Sequence, residues 1–367
     1  MPTALLEATE HQARARVALT AALRSGPSHA YLFRGPRGSG KRAAARALAA
    51  EILATGAPDP GDARRRALLD PSPHPDLVWL APRGAQHLVE EVRERVIRAA
   101  AYRPFEGGKR VFVVEAAEAM RDESQNALLK TLEEPPDFVH LILLSSEPEA
   151  LLETISSRCQ TVSFAPLPAA VLEAELAAAG ESSEEVAAAA RLAGGDLERA
   201  RLLLTPRGRE LRREAERCVG AALAAELSGS PWKQVLEEAE GAGADREEET
   251  RALLEEEAKA GLKRSAKEIG DEAKRAGRRR RTEILDLGLE LCGLWLRDLA
   301  ALAGGAEEVV FNRDRLDLLR SQGAGSDPAR ARQGAELVGA TRRSLDLNVG
   351  EELALEALFF RLERLFA

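Results

Sequence analysis

The chain has 367 residues, enough for two or three domains each with its own core. Apolar residues make up 45% of it, aromatics 4% and charged residues 31%, which predicts a soluble, helix-rich protein. The formal charge of −8 argues against a protein whose main task is to coat nucleic acid, and leaves a local DNA contact open.

No apolar run approaches the roughly 20 residues that cross a bilayer. The opening stretch MPTALLEATEHQARAR lacks the basic-then-apolar order of a signal peptide, so a cytoplasmic location is expected. Cys159, Cys218 and Cys292 stand far apart and in no metal-ligand spacing. They predict small buried residues, with neither a disulfide framework nor a zinc site.

Five short apolar runs punctuate the first part of the chain: HAYLF (29–33), DLVWLA (76–81), RVFVVEA (110–116), HLILLSS (140–146) and TVSFAP (161–166). Stretches rich in Ala, Leu and Arg at helical spacing separate them. Continuous Val/Ile/Leu runs alternating with helices predict a parallel sheet covered on both faces, hence an α/β domain over residues 1–166. After APLP (165–168) the strand signals stop. Residues 167–206 predict a small helical module of short Ala/Leu/Glu helices broken at GGD (194–196), with TPRGRE (205–210) as a boundary whose breakers are Pro206 and Gly208. Residues 207–367 predict an all-helical domain. It carries an acidic stretch (247–257), a basic stretch (263–281), a helix N-cap at Ser326 or Asp327 before Pro328, and an amphipathic end, EELALEALFFRLERLFA. The basic stretch mixes Glu and Asp with Lys and Arg and lacks interleaved aromatics, which favours a solvated helix packed on the acidic stretch over a DNA-binding face.

The chemistry concentrates in FRGPRGSGKRAAA (33–45), which follows the first strand and opens a helix. Gly35, Gly40 and Lys41 satisfy the G-x-x-x-x-G-K spacing of a phosphate loop, with Gly38 inside it; glycines let backbone N–H groups face phosphate oxygens and the helix N-terminus favours negative charge. The next position, where a hydroxyl would hold Mg²⁺, is Arg42. The strand VFVV ends in Glu115-Ala116-Ala117-Glu118, so Glu115 stands on the metal side and Ala116 replaces a water-activating carboxylate. Glu118 is expected in a solvated helix. A positioned general base contributes about 10²–10⁴ in rate, so Arg42 and Ala116 together predict little or no ATP turnover. Arg42 pairing with Glu115 to close the site, or folding its stem away to admit ADP without metal, both fit the sequence.

SHAYLFRGPRGSGKRAAARALA, VFVVEAAEAMRDESQNALLKTLEEPP and LILLSSEPEALLETISSRCQTVSFAPL together resemble the AAA+ core of bacterial DNA polymerase III clamp-loader subunits, and SLDLNVGEELALEALFFRL resembles the collar of that family. The resemblance implies an α/β P-loop AAA+ domain (1–166), a helical lid (167–206) and a helical collar for oligomerisation (207–367). Arg42, Glu115-Ala116 and the lack of cysteines between Lys41 and Asp76, where a motor subunit carries a four-cysteine zinc module, favour the delta-prime branch over the gamma/tau motor. Zinc is therefore not carried over, no cofactor is required, and ATP or ADP binding is left open. Ser157-Arg158-Cys159 matches the family's arginine-finger motif, which implies that Arg158 acts in trans on ATP held by a neighbouring motor subunit. AGGDLERAR resembles the sensor-2 stretch, with Glu198 at its arginine position and Arg199 one step later; Ser145 and Ser146 match sensor 1, and are expected to be structural here. The implied partners are gamma/tau, delta, the sliding clamp and primer–template DNA in a pentameric hetero-oligomer without membrane contact. The alternatives are a gamma/tau-type motor ATPase and a DNA-binding protein on an inactive P-loop scaffold.

Overall fold

All five apolar runs form strands: β1 (Ala30–Arg34), β2 (Leu77–Leu80), β3 (Arg110–Val114), β4 (Val139–Ser145) and β5 (Gln160–Ser163). They make one parallel sheet in the order β2-β3-β4-β1-β5. The computed structural model describes residues 3–70, 72–82, 86–177, 183–259, 265–323, 327–345 and 349–367. These divide into two compact units, Met1–Pro168 and Ala169–Ala367.

In the first unit successive side chains of the central strands go to opposite faces, and both faces are buried. Tyr31, Phe33, Val111, Val113, Ile142 and Leu144 join one core with residues of α1 (Thr3–Ala8), α2 (Ala13–Ser25), α3 (Lys41–Ala54) and α4 (Pro60–Leu68). Leu32, Phe112, Val114, Leu141 and Leu143 join the other, with α5 (Val89–Val92), its π-helical continuation Arg93–Arg98, α6 (Asp122–Glu133) and α7 (Glu153–Ser156). Double burial is why these strands read as unbroken apolar runs. The runs overstate β5 at its end: Phe164 N still donates to Arg34 O, but both backbone groups of Ala165 are bound by the Gln12 side chain (2.7 and 2.9 Å). This is an α/β domain with helices on both faces of a parallel sheet and a glycine-rich, P-loop-like turn joining β1 to α3.

The second unit is helical: α8 (Ala169–Ala177), α9 (Ser183–Leu192), α10 (Leu197–Leu204), α11 (Pro206–Leu223), α12 (Trp232–Lys259), α13 (Ala266–Ala303), α14 (Leu316–Gly323), α15 (Pro328–Leu345) and α16 (Glu351–Phe366). The 205–210 stretch holds the junction between two helices. Thr205 alone separates α10 from α11, its side chain accepts from Gly208 N, and Pro206 opens the new helix where a missing N–H costs nothing. Gly208 lies inside the first turn because a Cβ there would sit 1.9 Å from Leu202 O. Asp327 caps α15 by accepting from Ala329 N; Ser326 lies outside the described residues. The core gathers on α13, where Trp295, Leu296 and Leu299 are fully buried with Phe359 and Leu362 of α16. Trp232 of α12 stacks on Phe359 at 5.8 Å. Leu355, Leu358, Phe359 and Leu362 spend most of the amphipathic end on this core, while Leu353 and Phe360 stay exposed.

Candidate phosphate loop and arginine finger

Because the strands run parallel, every segment that follows a strand emerges at the same edge of the sheet, where α/β folds bind ligands. Gly35 follows β1, Glu115 follows β3 and Ser146 follows β4, so the three meet there. Gly35 N donates to Ser145 O at 3.2 Å. No side chain fits at position 35, since a Cβ would stand 2.2 Å from Phe164 O. Gly38 (φ 66°) and Gly40 (φ 88°) take the left-handed region, and Gly40 turns the chain into α3. Gln12 Nε2 bridges Ser39 O and Ala165 O, tying the loop to the chain beyond β5. Lys41, buried, folds its ammonium back on the loop and donates to Gly35 O (2.5 Å) and Pro36 O (2.6 Å).

Arg42 is the second residue of α3 and is half-exposed. Its Nε stands 3.4 Å from Glu115 Oε2, and its Nη2 donates to Asp70 Oδ2 at 3.3 Å. Glu115 Oε2 also accepts from the indole Nε1 of Trp79 at 3.0 Å. Trp79 lies under two guanidiniums, Arg42 at 5.7 Å and Arg46 at 4.5 Å from its ring centre, and Arg46 in turn pairs with Asp70 at 2.9 Å. Of the two options open to Arg42, the structure has the ion pair.

ATP with Mg²⁺ is what a P-loop fold implies, and the residues fit the two parts unequally. Glycines, an α3 N-terminus and Lys41 suit a phosphate. The metal side does not fit: a guanidinium replaces the hydroxyl, and the acidic oxygen that would face a metal is engaged by Arg42 and Trp79. Ala116 takes φ 49°, a left-handed conformation that an L-residue other than glycine rarely holds. It leaves no carboxylate to orient water.

Glu118 is not solvated as the sequence suggested. It lies in a 3₁₀ turn (Ala117–Ala119), its Oε1 accepts from Ser146 N at 3.1 Å, and its Oε2 is buried. Ser145 is buried and its Oγ accepts from Glu147 N, so both sensor-1 serines take part in bonds that shape this turn.

Arg158 stands elsewhere. It precedes β5, at the opposite edge of the sheet from the loop. Gln160 is in register with Tyr31, four residues short of Gly35, which at about 3.3 Å per residue places at least about 13 Å along the strand between them. Its guanidinium pairs with Glu133 (2.6 Å) and donates to Thr154 O (2.9 Å), while about a third of the side chain faces solvent. The neighbouring Cys159 thiol is pushed up to about 12 by burial, so it stays protonated. Burial likewise pushes up the Cys218 and Cys292 thiols. In the second unit Arg199 pairs with Glu290 of α13 at 2.8 Å and Glu198 with Arg201 at 3.0 Å.

Sequence reasoning missed Gln12, Asp70 and Trp79. Trp79 carried one signal, an aromatic on a strand that continues toward the acidic strand end; Gln12 and Asp70 carried none.

Residues 12–168 match the family model described as "DNA polymerase III, delta subunit". A Pseudomonas aeruginosa protein named DNA polymerase III subunit delta′ is 36% identical over 225 residues, covering 57% of this chain and 66% of that protein. The Bacillus subtilis subunit delta′ is 34% identical over 154 residues, covering 41% of this chain and 46% of its own length. Over the matched stretch this chain is similar to DNA polymerase III clamp-loader subunits. Its match spans just under two thirds of the first of these relatives and under half of the second. Gamma/tau subunits also match, that of Mycobacterium bovis being 37% identical over 154 residues, 41% of this chain and 26% of the relative. Identity alone therefore does not separate delta′ from gamma/tau relatives.

Proposed function

We propose that this chain is a delta-prime-type subunit of a bacterial clamp loader, which helps place the sliding clamp on primed DNA during replication. It turns over no ATP of its own and offers Arg158 to ATP held by a neighbouring gamma/tau subunit. The observation that carries this reading is the Arg42–Glu115 pair: the cation that belongs at this point in an ATPase is a metal, and here it is a side chain. The position of Arg158 before β5, away from the chain's own loop, supports service in trans. Glu133 holds the guanidinium until a neighbour's phosphates outcompete it.

Under this reading the partners are gamma/tau, delta, the clamp and primer–template DNA in a pentameric assembly in the cytoplasm. Among the described residues no helix is long and apolar enough to cross a membrane. The subunit needs the shape of its loop and not a bound nucleotide; neither ATP, ADP nor zinc is required for its role. The test is Mg²⁺-ATP hydrolysis by the purified chain. No turnover above the blank is expected; turnover in the ordinary enzyme range, about 1–10 s⁻¹, would instead support the gamma/tau-type motor.

A further inference from the structure

The hairpin of α12 and α13 carries a charged surface that clamp-loader chemistry leaves unused. From Ile284 onward α13 is buried on several sides, including Leu285, Leu287, Leu289 and Leu291. Over its first four turns only Ile269, Ala273 and Gly277 are buried, one per turn along a single line. That line is a seam with α12: at Gly277 the backbones touch, and an added Cβ would lie 2.7 Å from Gly243 O. The distal hairpin is an arm of two helices held by one seam.

Residues 266–281 carry seven cations, Lys267, Lys274, Arg275 and Arg278–Arg281, against Glu268, Asp271 and Glu272. At the base of the arm Arg279 and Arg280 pair with Glu283, and Arg281 with Glu240 and Glu351. Lys267, Lys274, Arg275 and Arg278 have no ion pair or side-chain hydrogen bond among the described residues. At 3.6 residues per turn Lys267, Lys274 and Arg278 fall within about 40° of one another, on the side of α13 away from the seam, and span about 16 Å. Asp271 is the one carboxylate among them. The facing helix offers exposed Glu248, Glu249, Glu255 and Glu256, yet the four cations are not paired with them. The arm is acidic on one side and basic on the other. Lys263 and Arg264 lie outside the described residues.

We propose that this basic side docks on the phosphate backbone of duplex DNA without reading its sequence. The stripe bears charge and no large apolar side chain, which suits a phosphate backbone and not the apolar centre of a protein interface. Residues 266–281 contain no aromatic on which the bases of a single strand would stack.

The test is binding of the full chain to a fluorescent duplex of about 30 base pairs between 50 and 200 mM NaCl. With four cations engaged, log K against log salt should fall with a slope of about −3.6. Arg278→Ala should lower the magnitude of that slope by about 1, and Lys274→Glu/Arg275→Glu/Arg278→Glu should weaken binding at 50 mM salt by about 100-fold or more. Unchanged circular dichroism and melting temperature will establish that the triple variant folds, and the single variant tests the same point if it does not. Failure to bind duplex at 50 mM salt, or equal binding by the triple variant, overturns the proposal. So does displacement of the duplex by polyglutamate as effectively, charge for charge, because the surface would then take an acidic protein segment.

Discussion

Arg42 is held by two carboxylates and the face of an indole, and no single contact explains its position. Glu115, Asp70 and Trp79 converge on it from a strand end, a loop and an edge strand. Arg42 and Ala116 were legible in the sequence as departures from a known spacing. Trp79 and Asp70 were not, because their relation to residue 42 exists only after β2 has docked beside β3. The left-handed backbone of Ala116 was equally hidden, since nothing local demands it. Removing its Cβ should relieve about 1–2 kcal/mol of strain, partly offset by about 0.5–1 kcal/mol of added chain entropy. Ala116→Gly is therefore expected to stabilise the protein by up to about 1 kcal/mol in urea unfolding, and a clear loss of stability would contradict the strain.

The strands were the most legible elements, because burial on both faces writes them as continuous apolar runs. Their ends were less so: Gln12, 153 residues away in sequence, decides where the chain leaves β5. The break at the α10–α11 junction was legible, but its tightness was not. Proline and glycine mark breaks, but here Pro206 starts a helix and Gly208 lets two helices meet closely. β4 also carries a buried titratable group that no local pattern announces. His140 Nδ1 lies 2.8 Å from Ser28 O and its Nε2 is buried without a partner among the described residues. Burial above all, opposed by the Ser28 carbonyl and aided by nearby Lys109 and His29, holds its pKa below the usual histidine value. The folded state thus prefers the neutral ring. Its contribution is whole above about pH 6.5, the unfolded value, and is lost as pH falls through the lower folded value. Between pH 7.5 and 5.5 the wild type should lose more stability to urea than His140→Gln; parallel losses would contradict this.

At the scale of the whole molecule the chain divides into an α/β unit and a helical unit, each with its own core. The end of strand signals set the first expected boundary at 166, and the first unit runs to Pro168. The sequence also separated lid from collar at 206/207, a position that lies within the opening of α11. Helical periodicity continues across it, and tertiary packing alone decides which helices share a core. The loop has the glycines and lysine of a phosphate-loop spacing, has Arg42 paired with Glu115 beside it, and lies at the sheet edge opposite Arg158. Those facts together motivate a subunit that serves a neighbour's chemistry. The most direct test is the DNA- and clamp-stimulated ATPase of a complex reconstituted with gamma/tau and delta, comparing wild type with Arg158→Ala. Arginine fingers contribute about 10³–10⁵ in GTPases, so a fall of at least about tenfold is expected with assembly intact by size-exclusion chromatography. A stimulated rate that Arg158→Ala leaves unchanged would contradict the account.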